Sequence, residues 1–144
     1  DILVVDVPAG ASDSSITFSA AVDRLVVILV GEPTSFMDAY TFIKAASLEA
    51  GVEKFSVVVN MVEDEKQGLQ HFTKFQAIVN RFLDVKLSYC GHVPFSHRIR
   101  QSVVQRKPIM ITKQDTVESR AFMGVAKSVQ TSPKSSPRGV VFFN

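Results

Sequence analysis

The chain has 144 residues, of which 46% are hydrophobic and 21% are charged, a size and balance that fit one globular domain or most of one. No run approaches the roughly 18 consecutive apolar residues that a membrane-spanning helix needs. The single cysteine, Cys90, excludes an intramolecular disulfide and a zinc site built from several cysteines, and it suits a reducing compartment.

The net charge of +2 is distributed unevenly along the chain. Residues 1–85 carry 6 Lys+Arg against 12 Asp+Glu, whereas residues 86–130 carry 8 against 2. A basic second half permits contact with phosphates, nucleic acid or anionic lipid, but net charge does not choose among them. A solvated basic face explains most of these charges equally well.

Four segments of strand length recur along the chain. The chain opens on Asp1 and the apolar run Ile2–Val5, so we expect it to begin inside a buried strand. The segments Leu25–Val30 and Phe55–Val59 are continuously or almost continuously apolar, which is typical of strands buried on both faces. The segment Val85–Tyr89 alternates, which is typical of a strand nearer a sheet edge.

Stretches with helical spacing separate these strands. The apolar residues predict helices over residues 13–22, 34–50 and 66–82, and Gly51 offers a stop for the second. Strand and helix alternate three times, which indicates parallel pairing with right-handed crossovers. Two more helices are expected over residues 96–105 and 116–129. The Ser-, Pro- and Lys/Arg-rich residues 131–139 predict a flexible linker leading into Val140-Val141-Phe142-Phe143.

The first strand ends in Asp6, which is followed closely by Gly10. Ligands gather beyond the carboxyl ends of parallel strands, so a carboxylate there is placed to hold a metal ion or its water. Four hydrophobic residues followed by Asp resemble a Walker B element, in which Asp binds Mg²⁺ and a nearby Gly admits a phosphate. The pattern is weak alone, because many α/β proteins end a strand in Asp.

Four short blocks occur in order along residues 1–130. They are Asp6-Val7-Pro8-Ala9-Gly10; Glu32-Pro33-Thr34-Ser35 with Asp38-Ala39-Tyr40; Val57-Val58-Val59-Asn60 with Glu65 and Gly68; and Gly91-His92-Val93-Pro94 with Arg106-Lys107-Pro108. Together the blocks resemble the MinD/ParA family of deviant-Walker P-loop ATPases, and within it the branch of flagellar-number regulators (FlhG/FleN). The resemblance implies an α/β, three-layer P-loop NTPase fold with a mostly parallel sheet, of which four strands are visible here.

The resemblance also implies a site for ATP and Mg²⁺. Asp6 would be the Walker B carboxylate that orders Mg²⁺ through water, and Pro8 and Gly10 would belong to the switch II segment that senses the γ-phosphate. By the same resemblance, Asp6 and Gly10 are the catalytic residues within this chain.

Other matching positions concern the base and the dimer. Asn60 matches the family's adenine-reading residue. A side-chain amide can donate and accept hydrogen bonds at once, as a base edge requires. A second group, which would wall the adenine, comprises Val93, Pro94 and Phe95. A third group matches a loop and helix start near the dimer face: Glu32, Thr34 and Asp38.

These residues contain no Gly-rich loop with Gly-Lys-Thr or Gly-Lys-Ser. By resemblance, that phosphate-gripping loop lies upstream of Asp1. Phosphoryl transfer depends on charge neutralisation by its groups, so this chain alone is expected not to hydrolyse ATP, whereas a full-length parent is.

The implied function is that of a cytoplasmic positioning ATPase that forms an ATP-dependent homodimer and regulates flagellar number or placement. Its expected partner is a flagellar regulator or assembly protein. Two interpretations of the tail 131–144 stay open: it leads into a membrane-targeting helix that makes peripheral contact at the inner membrane, or it is a disordered tail with a few apolar residues. Two alternatives stay open: a partition or division-site ATPase of the same superfamily, and a non-catalytic interaction scaffold.

Other candidates rank lower. His71, His92 and His97 lack the spacing of a metal site, and Cys90 is expected to be a buried inert thiol. DNA is not an expected partner, because the basic residues around Arg98 have neither a recognition helix nor interleaved aromatic residues.

Overall fold

The computed structural model describes residues 2–8, 10–112 and 115–135. Its sheet has three parallel strands in the order β1 (Val26–Val30), β2 (Lys54–Val62) and β3 (Lys86–Pro94). The described residues also form helices α1 (Asp13–Ala21), α2 (Pro33–Ala50), α3 (Glu65–Asn80), α4 (His97–Val104), α5 (Ile109–Thr112) and α6 (Val117–Thr131).

The helix ends follow from local chemistry. Ser12, Asp64, Ser96 and Thr116 each accept a backbone N–H at the start of a helix, which satisfies donors that have no partner within the helix. Gly51 ends α2 in the left-handed conformation, with φ of 67°, as predicted from its position after the last apolar residue.

Helices cover both faces of the sheet. Leu29, Val57 and Val59 belong to one apolar cluster together with side chains of α1, α2 and α3. On the opposite face, Val58 and Cys90 belong to a second cluster, against which side chains of α4 and α6 pack. These two clusters make three layers, so the prediction of a three-layer α/β fold with a parallel sheet is confirmed.

The prediction of a buried strand at Ile2–Val5 is wrong for the described structure. Residues 2–8 have no strand pairing, and Ile2, Leu3 and Val4 are 72%, 89% and 83% exposed. A strand is buried only where neighbouring strands satisfy its main chain and other layers cover its faces. Residues 2–8 have neither among the described residues, so three strands are seen here instead of four.

Burial of β1 is also one-sided. Val27 and Leu29 are buried, but Val26 and Ile28, which point to the opposite face, are 39% and 56% exposed. The expectation of burial on both faces holds for β2, where Val57 to Val59 are all at most 1% exposed. Helix α6 packs mainly against β3 and leaves the corresponding face of β1 uncovered.

Residues after α6 contact the beginning of the sheet. Ser132 is 8% exposed and accepts a hydrogen bond of 2.8 Å from Ser56 Oγ, and Ser135 N–H donates to Asp23 O at 2.8 Å. Residues 132–135 therefore differ from the flexible tail expected over 131–144. Residues 136–144 lie outside the described residues, so for them the expectation stays a prediction.

None of the described helices has both the length and the apolar character required to span a bilayer.

Candidate functional site

The carboxyl ends of β2 and β3 bring together residues predicted to contact adenine. Asn60 pairs with Val93 across the two strands, and Val62 pairs with Pro94. Phe95 N–H continues the ladder by donating to Val62 O at 2.8 Å. Asn60, Val93, Pro94 and Phe95 therefore meet at one edge of the sheet, although more than 30 residues separate Asn60 from the others.

The Asn60 side chain is fixed by its neighbour. Asn60 Oδ1 accepts a hydrogen bond of 2.9 Å from Met61 N–H, and Met61 has a positive φ of 59°. Within the described part of the chain, Asn60 Nδ2 donates no hydrogen bond. The amide therefore keeps a donor for a ligand such as a nucleobase edge.

The apolar side of this edge is open to a ligand. Phe95 is 64% exposed, and its ring lies 5.7 Å from that of His97 with an interplanar angle of 74°. Pro94 is half-buried and Val93 is buried. An exposed aromatic ring can stack on a base, and an amide donor near the same sheet edge can hydrogen-bond to the edge of that base.

A buried carboxylate on α6 contacts the short loop between β3 and α4. Ser96 Oγ donates to Glu118 Oε1 at 2.6 Å and accepts from Arg98 N–H at 3.1 Å. Arg98 Nη1 lies 3.7 Å from Glu118 Oε2. Glu118 is only 6% exposed, so its first-turn position on α6 places a charge between that helix and the loop after β3.

The pKa of Glu118 is lowered to about 2. The largest cause is the Ser96 hydrogen bond, followed by a backbone hydrogen bond; the hydroxyl of Thr116 and the charge of Arg98 add to them. Burial acts in the opposite direction, because desolvation disfavours the charged form. Glu118 is therefore an anion at neutral pH.

Asp6, Pro8 and Gly10 lie outside the sheet in the described structure. Asp6 is exposed and makes no hydrogen bond or ion pair with a described residue. Pro8 O accepts from Ser15 Oγ at 3.5 Å, and Gly10 has a φ of 105°. The structure thus does not join Asp6 to the edge formed by Asn60 and Pro94, and its role stays a prediction.

The fit of a magnesium ion to this chain depends on Asp6. The described residues contain no group of three or more His, Cys, Asp or Glu side chains arranged for a metal ion. One carboxylate is nevertheless enough where nucleotide phosphates and water supply the other oxygens, as is usual for Mg²⁺. Asp6 is exposed and available for that arrangement.

Residues predicted at the dimer face lie at the start of α2. Glu32, Thr34 and Asp38 are all exposed, so they are accessible to a second copy. Next to them, α2 and α3 enclose an apolar groove of about 630 Å³. Its lining includes Glu32, Phe36, Met37, Tyr40, His71 and Phe82.

The contacts of Ser96 and Glu118 were not foreseen as parts of a site. An acid in the first turn of a predicted helix is a stability signal, because it complements the helix dipole. Ser96 was expected only to begin a helix. Twenty-two residues separate the two side chains, and no local pattern indicates that they meet.

The remaining candidates behave as expected for structural residues. Cys90 is 2% exposed within the cluster between β3 and α6, and His71 packs edge-on against Phe36, with ring centroids 6.5 Å apart. Neither geometry indicates a reactive or metal-binding group.

The chain resembles known proteins in family, sequence and fold. The ParA family model, described as an iron-transfer P-loop NTPase of the NUBPL type, matches residues 1–130. The chain is 35% identical over 144 residues to the antiactivator FleN of Pseudomonas aeruginosa, covering 99% of this chain and 51% of that protein. It is 29% identical over 108 residues to the flagellum site-determining protein YlxH of Helicobacter pylori, covering 74% and 36%.

A solved structure shares the fold of this chain. The MinD cell division protein of Aquifex aeolicus superposes with a TM-score of 0.55 at 16% identity, covering 75% of this chain and 44% of that chain. The chain spans about half or less of the length of these relatives.

Proposed function

Because the chain belongs to the ParA family of P-loop NTPases, we propose that it forms the adenine-reading and dimer-contact part of an ATP-binding positioning ATPase. In this proposal the whole protein dimerises on ATP and regulates flagellar number or placement. Asp6 and Gly10 would contribute to hydrolysis together with a phosphate-gripping loop supplied by residues upstream.

The observation that carries the proposal is the pairing of Asn60 with Val93 at the carboxyl edge of the sheet. Pro94 directly follows Val93 at the end of β3, and Phe95, whose side chain is exposed, comes next in the chain. Ligands of parallel α/β sheets bind beyond this edge. Asn60 Nδ2 would donate to N1 of adenine, a nitrogen that accepts a hydrogen bond in adenine and carries a proton in guanine, while Phe95 and Pro94 exclude water from the faces of the base.

The phosphate end of the nucleotide requires a cation. Mg²⁺ neutralises charge on the phosphate oxygens when bound. The carboxylate of Asp6 would hold its water ligands, and Pro8 and Gly10 would adjust the backbone beside the terminal phosphate. Their present exposure leaves these groups accessible for both roles.

The flagellar role is supported by two relatives. FleN is an antiactivator and YlxH determines the flagellum site, as their names state. The ParA family model is instead described by iron transfer. We favour the flagellar role because the chain is 35% identical to FleN over 99% of its length.

The proposed partners follow from that role. They are a second copy, contacted through Glu32, Thr34 and Asp38, and an activator or assembly protein of the flagellum. We place the protein in the cytoplasm with peripheral contact at the inner membrane. The double variant Phe142→Ser, Phe143→Ser of the full-length protein is expected to sediment less with anionic liposomes than the unaltered protein; unchanged sedimentation would contradict the proposed membrane contact.

The adenine site is tested in the full-length protein by calorimetric titration with ATP and GTP. Asn60→Ala is expected to weaken ATP binding about tenfold, which corresponds to one lost hydrogen bond to the base, while GTP binding changes little. Asn80→Ala, at the exposed end of α3, is the matched control. Equal loss for ATP and GTP, or no loss for either, would contradict the proposed role of Asn60.

The cargo is tested separately in cells. Cells that carry Asn60→Ala are expected to show an altered number or position of flagella, with normal plasmid partition and septum placement. Normal flagella with a partition or septum defect would favour the alternative positioning roles. Purified protein that neither binds ATP nor changes its oligomeric state with ATP would favour an interaction scaffold.

A further inference from the structure

The loop that walls the candidate adenine site is held from two directions. On the β2 side, Phe95 N–H donates to Val62 O at 2.8 Å. On the α6 side, Ser96 Oγ donates to Glu118 Oε1 at 2.6 Å. Pro94 and Phe95 therefore stand immediately before a residue that is bonded to a different layer of the fold.

Ser96 has its hydroxyl fully engaged. The oxygen accepts Arg98 N–H at 3.1 Å as the cap of α4, while the hydroxyl proton goes to Glu118. A hydroxyl offers one donor, so the geometry fixes the Ser96 side chain in a single direction. Any movement of Ser96 away from α6 breaks this hydrogen bond.

Glu118 is placed to resist such movement. It is 6% exposed, and its Oε2 is buried with no hydrogen-bond partner among the described residues, although Arg98 Nη1 lies 3.7 Å away. A buried carboxylate that loses a partner keeps its desolvation cost, so the contact with Ser96 strongly favours one loop position. A hydrogen bond to an ionised acceptor is also shorter and stronger than one between neutral groups.

We propose that Glu118 is a positioning residue for the nucleobase: through Ser96 it holds the Pro94–Phe95 loop at the distance from Asn60 that an adenine ring requires. The inference rests on the proposed function and deepens it, because it assigns base selectivity to a side chain on α6. Glu118 itself need not contact the nucleotide.

The chemistry of the site limits what Glu118 affects. In the proposed site the loop would contact the base, whereas the phosphates would lie toward Asp6, Pro8 and Gly10, with which Ser96 makes no hydrogen bond in the described part of the chain. Loss of Glu118 is therefore expected to weaken recognition of the base and to leave binding of the phosphate chain unchanged. A role in general folding would weaken both, since any loss of folded protein lowers every affinity.

Variants at Glu118 separate the effect of side-chain length from the effect of charge. Glu118→Asp keeps the negative charge at the start of α6 but is one methylene too short to reach Ser96 at the same position. Glu118→Gln keeps an acceptor oxygen at the original length and loses the charge. Glu118→Ala loses both, and Ser96→Ala removes the partner hydroxyl. Asp115→Asn is the control, because the exposed Asp115 pairs only with Arg120 among the described residues.

The experiment measures the affinity of the full-length protein for ATP, GTP and inorganic tripolyphosphate by calorimetric titration. Glu118→Asp, Glu118→Ala and Ser96→Ala are expected to weaken ATP binding about tenfold, as for one lost positioning contact. Tripolyphosphate affinity should stay within about twofold of the original, and the preference for ATP over GTP should fall. Glu118→Gln should retain most of the ATP affinity, and Asp115→Asn all of it.

Three results would overturn the inference. In the first, ATP and tripolyphosphate weaken equally in Glu118→Asp, which indicates a role in folding alone. In the second, Glu118→Asp binds ATP as well as the original protein, which indicates a charge effect without reach. In the third, Glu118→Ala fails to fold and Ser96→Ala, which keeps the carboxylate, leaves ATP selectivity unchanged.

The proposed function fails in a different way. If the unaltered protein binds ATP no more tightly than tripolyphosphate, the adenine site itself is absent and the inference falls with it. If the unaltered protein prefers ATP and Asn60→Ala removes that preference while the Glu118 variants do not, the site stands and only the role of Glu118 is wrong.

Discussion

Gly68 lies directly against Tyr89: a methyl group added at Gly68 would stand 2.8 Å from Tyr89 Oη and 3.0 Å from His92 Cβ. The contact sets how closely α3 approaches β3. Tyr89 Oη is buried without a hydrogen-bond partner among the described residues, and burial, followed by the charge of Glu65, raises the pKa of the Tyr89 hydroxyl. Close packing here thus takes precedence over satisfying a polar group.

Gly68→Ala is expected to lower the free energy of unfolding by about 1 to 3 kcal/mol, because the added methyl overpacks the contact between α3 and β3. Gly124→Ala is the matched control, since an added methyl at Gly124 meets nothing within 4 Å. That change should raise the free energy of unfolding by roughly 0.5 to 1 kcal/mol through helix propensity. Urea denaturation measures both, and equal effects at the two glycines would contradict the packing argument.

The charge on Glu118 predicts a pH-dependent stability. Its pKa falls from an ordinary value of 4.5 to about 2 in the folded chain, so its stabilisation is complete above about pH 4.5 and disappears as the pH falls toward 2. The free energy of unfolding of the unaltered chain should exceed that of Glu118→Gln by on the order of 2 kcal/mol near pH 7, and the difference should vanish near pH 2.

Asp115→Asn provides the comparison for that titration. Asp115 and Arg120 form an ion pair of 2.6 Å, but their side chains are 90% and 64% exposed. Exposed pairs contribute about 0 to 1 kcal/mol, so this variant should lower the free energy of unfolding by less than about 1 kcal/mol. A Glu118→Gln difference that is constant between acid and neutral pH would contradict the role of the carboxylate charge.

The backbone of Met61, next to Asn60, has a strained conformation. Its φ of 59° is unfavourable for a residue with a side chain and most unfavourable for a β-branched one. Met61→Ile should therefore lower the free energy of unfolding by about 1 to 2 kcal/mol, although the Met61 side chain is 59% exposed. Met61→Gly should change it by less than about 1 kcal/mol. Thermal unfolding distinguishes these outcomes, and a similar loss of free energy of unfolding in both variants would contradict the strain at Met61.

Ser56 and Ser132 link β2 to the end of α6. The hydroxyls lie 2.8 Å apart, and Ser132 Oγ also donates to Val129 O at 2.8 Å. Both serines are buried, so Ser132→Ala leaves the Ser56 hydroxyl without its acceptor and should lower the free energy of unfolding by about 1 to 2 kcal/mol. In a double-mutant cycle, the two alanine changes should show coupling of roughly 0.5 to 1 kcal/mol. Additive losses would mean that the contact contributes nothing.

The sequence predicted elements whose signals are local. The apolar spacing of α2 and α3, the glycine stop at Gly51 and the apolar runs of β1 and β2 all reflect rules that act within a few residues. The resemblance blocks added what periodicity cannot give, namely the expectation that Asn60 and Pro94 belong to one site. Asn60 pairs with Val93, which directly precedes Pro94, so both residues lie at the carboxyl ends of neighbouring strands, and their common role stays a prediction.

The errors concern relations between distant segments. The apolar run Ile2–Val5 has the composition of a buried strand, but composition does not supply the partners that bury it. Ser132 and Ser135 lie in a segment with the composition of a linker, yet five short contacts attach residues 132–135 to the start of the sheet. The Ser96–Glu118 bond was unpredictable for the same reason, because a capping serine and a first-turn acid each look complete locally.

The uncovered face of β1 has a practical consequence for anyone producing residues 1–144 alone. Val26 and Ile28 form an exposed apolar patch on β1, an edge strand whose outer main-chain groups have no strand partner among the described residues, and such edges pair with further strands. Self-association that grows with concentration is therefore to be expected of this segment. Ile28→Lys should suppress it.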